Sequence, residues 1–465
     1  MLTAEMNERL TRVGPGTPGG ELMRRYWIPI CPEAQLDLNP VRKVRVLGED
    51  LVLFRSAAGE LGLIGERCLH RAVELQHGIP DPEGLRCPYH GWLYGTDGRC
   101  LDTPLEDPRK TFKEQLRQTA YPVQALGGLV FAYLGPQPAP LLPPWDLFVW
   151  PNAVRQIGIA VLDCNWLQCH ENTGDPTHSV YLHGHFFKYV LQRMGAYDER
   201  AGSETHTLHS RIRNAEGIKE LYARATPYGM EKGIVYAKEL GAESDSVRRH
   251  STVIFPFYTQ TGSAGSPRSE YQIRVPMDDT HTYHICYQVY AAPPGVDAPP
   301  QDGVPFYEAP LADADGHPIL DYVLAQDMLA WRAQGTITDR SREHLGRTDV
   351  PIAFLRRQLE AQLQCVERGD DPMNVFRDVG AMGSMLHGSG APPAVPESMS
   401  AAHAGASSAP ATFRALYHRG FVLDDADRYG PAVPLVQELH RRIEAHLLAD
   451  GAAKRIAGRR VHGPD

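Results

Sequence analysis

Two short loops constrain this chain more than anything else in it: Cys68-Leu69-His70 and, after sixteen intervening residues, Cys87-Pro88-Tyr89-His90. Each loop offers one thiolate and one imidazole. Zinc fingers segregate their ligands, with two cysteines on one loop and two histidines on a helix. One Cys with one His on each loop is the pattern of a Rieske [2Fe–2S] centre, where two cysteines hold one iron and two histidines the other. A structural zinc site is the alternative. The flanks favour the cluster, because Gly91-Trp92 follows His90 and strand-like runs at 41–47, 51–54 and 61–64 precede Cys68.

With 465 residues the chain is long enough for two or three domains, each with its own core. Its 47 basic and 56 acidic residues leave a net charge of −9, which weighs against nucleic acid as the main partner. The first residues are polar and acidic, without the apolar core of a signal peptide. No run approaches the ~18 to 20 apolar residues that span a bilayer. The expectation is a cytoplasmic protein with no membrane partner. The other six cysteines, Cys31, Cys100, Cys164, Cys169, Cys286 and Cys365, show no framework spacing and read as thiols in a reducing compartment.

Residues 1–40 form an N-terminal segment, with a Gly/Pro-rich turn at 12–19 and a short helix at 21–26. Residues 41–140 read as β structure: Lys43, Val44, Arg45 and Val46 alternate, although Arg42 falls on the valine face, and Gly48-Glu49-Asp50 turns into the next strand. The run 127–136 closes that block, and the proline-rich stretch 136–144 is the expected boundary. In 141–387, a helix at 165–173 is interrupted by Gly174-Asp175-Pro176, because proline cannot continue a helix from within. Strands are expected at 251–257, 271–276 and 281–290. A helix at 352–366 carries Ile352, Leu355, Leu359, Leu363 and Val366 on one stripe. Residues 388–411 are rich in Ala, Ser, Pro and Gly and read as a mobile insertion. Residues 412–465 form a C-terminal helical extension, with an amphipathic helix near 435–448. The fold class expected is α+β: an all-β domain carrying the cluster loops, then a domain of antiparallel sheet and helices.

A second ligand string stands at Asp175-Pro-Thr-His178-Ser-Val-Tyr-Leu-His183. Two imidazoles and one carboxylate form the facial triad of non-haem iron sites, leaving open positions on the metal. On an ideal helix a spacing of five rotates the second His by ~140°, too far for shared ligation unless the helix is bent or bulged. Asp175, three residues before His178, has same-face spacing and suits a hydrogen bond to the non-ligating ring nitrogen. The third ligand should be a distant carboxylate. Asp349, just before the 352–366 helix, is one reading; an acidic helix-start signature before Pro351 is the other, and spacing alone leaves both open.

Four segments together resemble a known family. They are Leu10-Thr-Arg-Val-Gly-Pro-Gly-Thr-Pro-Gly with Arg24-Arg-Tyr-Trp, the two cluster loops, Asn165-Trp-Leu-Gln-Cys-His-Glu-Asn with Asp175, His178 and His183, and Glu343-His-Leu-Gly-Arg-Thr-Asp349. The chain resembles the oxygenase (α) subunit of Rieske non-haem iron ring-hydroxylating oxygenases, nearest the phthalate dioxygenase group. The resemblance implies that Cys68, His70, Cys87 and His90 bind the [2Fe–2S] cluster, and that His178, His183 and Asp349 bind mononuclear Fe(II) in a helix-grip-like catalytic domain. It also implies that Asp175 bridges His178 towards a Rieske His of the neighbouring subunit in a head-to-tail trimer, or a hexamer built from it. Gly19, where the family pattern leads one to expect a larger apolar residue, and the 388–411 segment depart from the family.

The function implied is activation of O2 at Fe(II) with electrons from the cluster, to hydroxylate, dihydroxylate or O/N-dealkylate an aromatic, carboxylated substrate. No dinucleotide fingerprint stands in a strand–helix context. NAD(P)H oxidation therefore falls to a separate flavin and iron–sulfur reductase. A Rieske-type electron-transfer protein is the alternative, but it leaves everything after Pro144 unexplained; a zinc-stabilised binding protein is a third reading. Phe186, Phe187, residues 253–257 and the Met230 region are expected to wall the pocket. Arg211, Arg213, Arg224, Arg248 and Arg249 are the candidates for gripping a carboxylate. Iron-replete protein should be red-brown and carry about three irons per chain, two in the cluster and one mononuclear. Metal analysis finding zinc at Cys68, His70, Cys87 and His90 would overturn this reading.

Overall fold

The computed structural model describes residues 2–107, 112–197, 218–236, 248–262, 268–292, 295–382 and 430–449. The insertion expected at 388–411 lies outside them, as do Arg211 and Arg213. The side chains of Arg248 and Arg249 are likewise not described.

The first block is built mainly of short strands: β1 (Trp27–Pro32), β2 (Val41–Val46), β3 (Glu49–Arg55), β4 (Leu61–Gly65), β5 (Ile79–Asp81), β6 (Gly84–Arg86), β7 (Leu93–Tyr94), β8 (Cys100–Asp102), β9 (Ala120–Tyr121), β10 (Val123–Leu126) and β11 (Leu129–Tyr133). They form three antiparallel sheets in the orders β2-β3-β4-β9, β5-β6-β7-β8 and β1-β11-β10. Gly48 sits at φ +79° in the β2–β3 turn, a conformation glycine adopts without a Cβ penalty. Strand β1 lies in the segment read from sequence as a turn and helix, and it pairs with β11 from Trp27↔Tyr133 to Pro32↔Leu129.

The second block is a large mixed sheet with helices: β12 (Ala153–Leu162), β13 (Ile218–Thr226), β14 (Gly229–Tyr236), β15 (Arg248–Ile254), β16 (Tyr258–Gly262), β17 (Arg268–Pro276), β18 (Thr282–Ala291) and β19 (Phe306–Glu308). The order is β13-β14-β15-β16-β17-β18-β12-β19, antiparallel except where β19 runs parallel to β12. The principal helices are α1 (Ala4–Thr11), α2 (Pro18–Met23), α3 (Trp166–Gly174), α4 (Phe187–Arg193), α5 (Val323–Arg332), α6 (Val350–Glu367) and α7 (Val433–Ala449). The stripe on α6 buries Leu355, Leu359 and Leu363; on α7, Val436, Leu439 and Ile443 cover Val154 and Tyr290 of the sheet.

The sheet's two faces differ in chemistry, and strand alternation shows how. On β17, Tyr271, Ile273 and Val275 enter a core shared with Phe131 and Phe148 on the side of the first block. The intervening Glu270, Gln272 and Arg274 point the other way. Register puts Arg274 opposite His284 and Gln272 opposite Cys286, and α3 and α5 cover that region. The connector is held at its middle, from both sides: Trp27 Nε1 donates to the Pro140 carbonyl at 2.8 Å, and Leu141 N to the Phe376 carbonyl at 2.8 Å.

Gly19 has a structural reason. A Cβ there would run into the Arg12 carbonyl, and one at Gly20 into the Gly14 carbonyl, because α2 crosses the chain leaving α1 at backbone contact. A larger side chain does not fit.

Behind α3 lies a buried ion network. Glu171 accepts from Arg340 Nε at 2.9 Å and Nη2 at 2.8 Å, and from Arg356 Nε at 2.6 Å. Arg356 also pairs with Glu343, and Arg340 Nη1 donates to Asn7 Oδ1 at 3.1 Å. Burial pushes the Glu171 carboxyl up, but Arg340 and Arg356 hold it below its ordinary value. The network ties α1, α3 and α6 together one turn before the second ligand string. Arg340→Met leaves part of that charge uncompensated and should cost about 3–5 kcal/mol, read from urea midpoints. Adding Glu171→Leu should recover part of the loss, since Arg356 keeps Glu343.

Candidate metal centres and their supporting residues

Strand β4 leads into the first ligand loop and β6 into the second. The loops close on their own backbone: Ala72 N donates to the Cys68 carbonyl at 2.9 Å, and Gly91 N to the Cys87 carbonyl at 3.0 Å. Gly91 takes φ +76° to turn the chain back into β7. Cys68 and Cys87 are buried, and their thiols face each other; burial, and Cys68 beside it, push the Cys87 thiol above its ordinary value. The rings of His70 and His90 stand 4.5 Å apart at 69°, and His70 stacks on Trp92 at 4.6 Å and 8°. His70 Nδ1 is buried with no hydrogen-bond partner. A buried imidazole nitrogen without a partner costs free energy unless something binds it.

Spacing separates a two-iron cluster from one zinc ion. Among the described residues, the groups of three or more donors that close to within 4.8 Å are His178–His183–Asp327 and the exposed Asp313–Asp315–His317. The two loops form no such group, so they are set wider than four ligands of a single tetrahedral ion. The donor set and the spacing both fit a two-iron cluster. Tyr94 completes the surround: its oxygen accepts from Leu69 N at 3.0 Å and lies 3.2 Å from Cys68 Sγ. A cluster-bound Cys68 would be a thiolate without a proton, so the Tyr94 hydroxyl would be the donor of that bond.

The second centre grows from the broken helix. Asn165 caps α3, its Oδ1 accepting from Leu167 N at 3.0 Å. The helix ends at Gly174, where Asp175 is extended and Pro176 follows. Asp175 Oδ1 then accepts from Thr177 N at 2.7 Å and His178 N at 3.2 Å, starting a new turn at His178–Val180. The chain next widens into a π-helical turn, Tyr181–Phe186, before α4. That widening brings His183 round to His178, with ring centroids 5.1 Å apart.

Both rings are held by Nδ1. His178 Nδ1 is 3.0 Å from the Asp175 carbonyl, and His183 Nδ1 is 2.9 Å from Gln326 Oε1. Each acceptor calls for a proton on Nδ1, leaving Nε2 to bind. Both Nε2 atoms face one oxygen, Asp327 Oδ1, at 3.6 Å from His178 and 3.1 Å from His183. Burial pushes the Asp327 carboxyl up, but His183, His178 and Arg274 hold it well below the carboxylate range. Two Nε2 atoms and a carboxylate oxygen meeting at one point fit a facial triad.

Asp349, expected as the carboxylate, does not join the His178–His183–Asp327 group. Asp349 ends a short turn, Arg347–Asp349, and its Oδ2 accepts from Gly346 N at 2.6 Å. It stands at the N-cap position of α6, the helix-start place before Pro351, but its carboxylate closes the preceding turn and does not cap the helix. Asp327 was missed, though its signal was present: Leu324, Met328 and Trp331 form the buried stripe of α5, and an acid among them needs a partner. Asp175 meets His178 chiefly through its main-chain carbonyl; its Oδ2 comes only to 3.6 Å from His178 Nδ1. Among the pocket residues, Phe187, Met230 and Val253 are buried, whereas Phe255 and Phe257 pack edge-on against Tyr26. Arg224 is exposed and paired with Glu231, so it faces solvent and not the site.

Residues 26–114 match the Rieske [2Fe-2S] domain family. The 5,5'-dehydrodivanillate O-demethylase oxygenase subunit of a Sphingobium species is 38% identical over 385 residues, covering 81% of this chain and 84% of that protein. The phthalate 4,5-dioxygenase oxygenase subunit of Pseudomonas putida is 31% identical over 399 residues, covering 80% and 88%. This chain belongs to the Rieske non-haem iron oxygenases. It is an oxygenase subunit of the phthalate dioxygenase-like group, carrying a Rieske [2Fe–2S] cluster and mononuclear iron and using O2. The fold agrees: the solved NdmA of Pseudomonas putida CBB5 with caffeine superposes at a TM-score of 0.53, with 18% identity, over 79% of this chain and 96% of that one. Among the described residues no helix is long and apolar enough to cross a membrane.

With the cluster held at Cys68, the Tyr94 hydroxyl would stabilise the reduced, more negative cluster more than the oxidised one. Tyr94→Phe should therefore lower the cluster potential by tens of millivolts, on the order of one hydrogen bond. Spectroelectrochemistry of the Phe variant reads this directly; an unchanged potential would mean that the hydroxyl does not bond the sulfur.

Proposed function

We propose that Cys68, His70, Cys87 and His90 hold the cluster and that His178, His183 and Asp327 hold mononuclear Fe(II). The observation that carries the assignment is the meeting of both histidine Nε2 atoms at Asp327 Oδ1, with Nδ1 of each ring already engaged. When bound, the iron supplies O2 activation. The chain supplies placement: the Asp175 carbonyl and Gln326 orient the imidazoles, and buried α3 and α5 keep the triad from bulk water.

The substrate proposed is a carboxylated aromatic compound, and the reaction is hydroxylation or O-demethylation. Two features support this: the coverage and identity shared with the O-demethylase oxygenase subunit, and the buried cations described below. O-demethylation balances as aryl methyl ether, O2, two electrons and two protons giving phenol, formaldehyde and water. The electrons come from a separate NAD(P)H-dependent reductase. A head-to-tail trimer, with Asp175 at the subunit boundary between one chain's iron and the next chain's cluster, would shorten the path for those electrons.

Asp327→Ala should lose mononuclear iron and turnover while the cluster spectrum persists. Asp349→Ala should keep iron and activity and cost about 1 kcal/mol of stability. Iron analysis beside visible spectra decides between the two carboxylates. Oxygen uptake with methoxybenzoates, and formaldehyde release, tests the reaction; uptake with no aryl acid in a broad panel would refute the substrate class.

A further inference from the structure

The face of the large sheet that meets the iron triad carries two buried cations with no carboxylate in contact. Lys232 on β14 is 8% exposed and Arg274 on β17 is 1% exposed. Register places them on the same face: Met230 pairs with Val253, Val253 with Thr259 and Thr259 with Gln272, and Lys232 and Arg274 each stand two residues along from that row. Among the described residues, neither cation has a carboxylate within ion-pair distance. Lys232 Nζ has one partner, the Asp175 carbonyl at 2.9 Å. Arg274 bonds neutral acceptors only: Thr259 Oγ1 at 3.0 Å, Gln272 Oε1 at 2.6 Å and the Gln272 carbonyl at 3.3 Å. Its Nε has no partner, and the guanidinium lies over Trp331, 5.0 Å from the ring centroid.

Lys232 stands beside the metal ligands. Its ammonium and His178 Nδ1 share one acceptor, the Asp175 carbonyl oxygen. Burial pushes the Lys232 ammonium down to about 8, with Asp175 and Asp327 acting the other way and Arg274 adding to the fall. The neighbouring imidazoles of His170 and His284 are buried and pushed down to about 3, so they are neutral and add no positive charge. Glu270 is already taken by Arg268 at 2.7 Å. The nearby charges are thus Lys232 and Arg274 against Asp175 and Asp327. They balance before metal binds, and a ferrous ion on Asp327 leaves a positive surplus in a buried place. A buried surplus of that kind costs several kcal/mol unless an anion enters.

We propose that Lys232, assisted by Arg274, receives the anionic group of the substrate, a carboxylate or phenolate on the ring, beside the mononuclear iron. The inference rests on the proposed aryl substrate and names the residues that select its charge. Lys232 is the receiving group because its ammonium has donors to spare; Arg274, held by Thr259, Gln272 and Trp331, supplies fixed positive charge. The bland alternative is that Lys232 only caps the C-terminal carbonyls of α3. A cap would influence stability and not the ligand's charge preference.

The test is calorimetric binding of 3-methoxybenzoate and 3-methoxybenzamide to anaerobic, iron-loaded holoenzyme. Wild type should bind the acid at least about ten-fold tighter than the amide, as one charge-assisted contact provides. Lys232→Met should lose that preference through the acid alone, with amide affinity, iron content and cluster spectrum unchanged, and Lys232→Arg should restore part of it. Arg274→Met should weaken the acid less. If Lys232→Met keeps the full preference for the acid, the anchor is elsewhere and the inference falls while the aryl acid reading stands. If wild type shows no preference for the acid, both fall together. A Lys232→Met protein that loses iron and binds neither ligand, with Lys232→Arg behaving like it, marks a structural cap and also overturns the inference.

Discussion

Two histidines five residues apart cannot share an ion on a regular α-helix, and this constraint shapes the whole catalytic block. The chain meets it by breaking α3 at Gly174, restarting on the Asp175 side chain and widening into a π-helical turn over Tyr181–Phe186. Widened turns of this kind sacrifice regular hydrogen bonding and concentrate at functional sites. The irregular stretch is held from outside. Asn165 and the Glu171–Arg340–Arg356–Glu343 network fix α3 before the break, and Gln326 with Asp327 grips His183 after it. The neighbours Gln326 and Asp327 thus perform both tasks from one turn of α5, one orienting a ring and the other meeting it.

The large sheet serves the same end by having two chemically different faces. Tyr271, Ile273, Tyr287 and Phe148 fill one side with aromatic and β-branched packing, including the Phe148–Tyr287 edge contact at 4.9 Å. That apolar side provides the burial that stabilises the fold. The opposite side buries Arg274, His284 and Glu270 and half-buries Gln272, each of which loses hydration on folding. A sequence selected only for stability would not place that row indoors. Conflict between local stability and composition belongs at a functional face, and here it lies on the side of the iron triad.

Much of this was legible in the chain itself. The mixed Cys/His loops named the cluster because ligand chemistry depends on short-range spacing that folding does not rearrange. The strands at 251–257, 271–276 and 281–290 and the helix at 352–366 were visible by period, and each appears within a few residues of its expected place. Even the need for a bulge followed from the His178–His183 spacing. The third carboxylate was not legible, for a physical reason. Asp349 and Asp327 are both distant in sequence, and only packing of α5 against the π-helical turn decides which meets the imidazoles. Lys232 and Arg274 escaped notice for a related reason: on a strand, a charged residue reads as solvent-facing until the sheet's covering layer is known. Arg224 and Lys232, on paired strands, show the difference, one exposed and bound to Glu231, the other buried.

The two metal centres also solve opposite electrostatic problems. Around the cluster loops the difficulty is negative charge: Cys68 and Cys87 are buried thiols whose ionised forms burial disfavours. The chain answers with donors aimed at sulfur, through Tyr94 and the backbone N–H groups of Tyr89 and His90. Around the triad the difficulty would be positive charge, because iron bound there would join Lys232 and Arg274 in a low-dielectric interior. Donors aimed at sulfur are permanent and can be built into a loop. Compensation for the triad cannot be permanent if the pocket is to stay open to ligand, so an acidic side chain placed beside Lys232 would stabilise the protein while occupying the site. Leaving that anion out makes the empty site the less stable state, and the ligand that fills it supplies the missing charge.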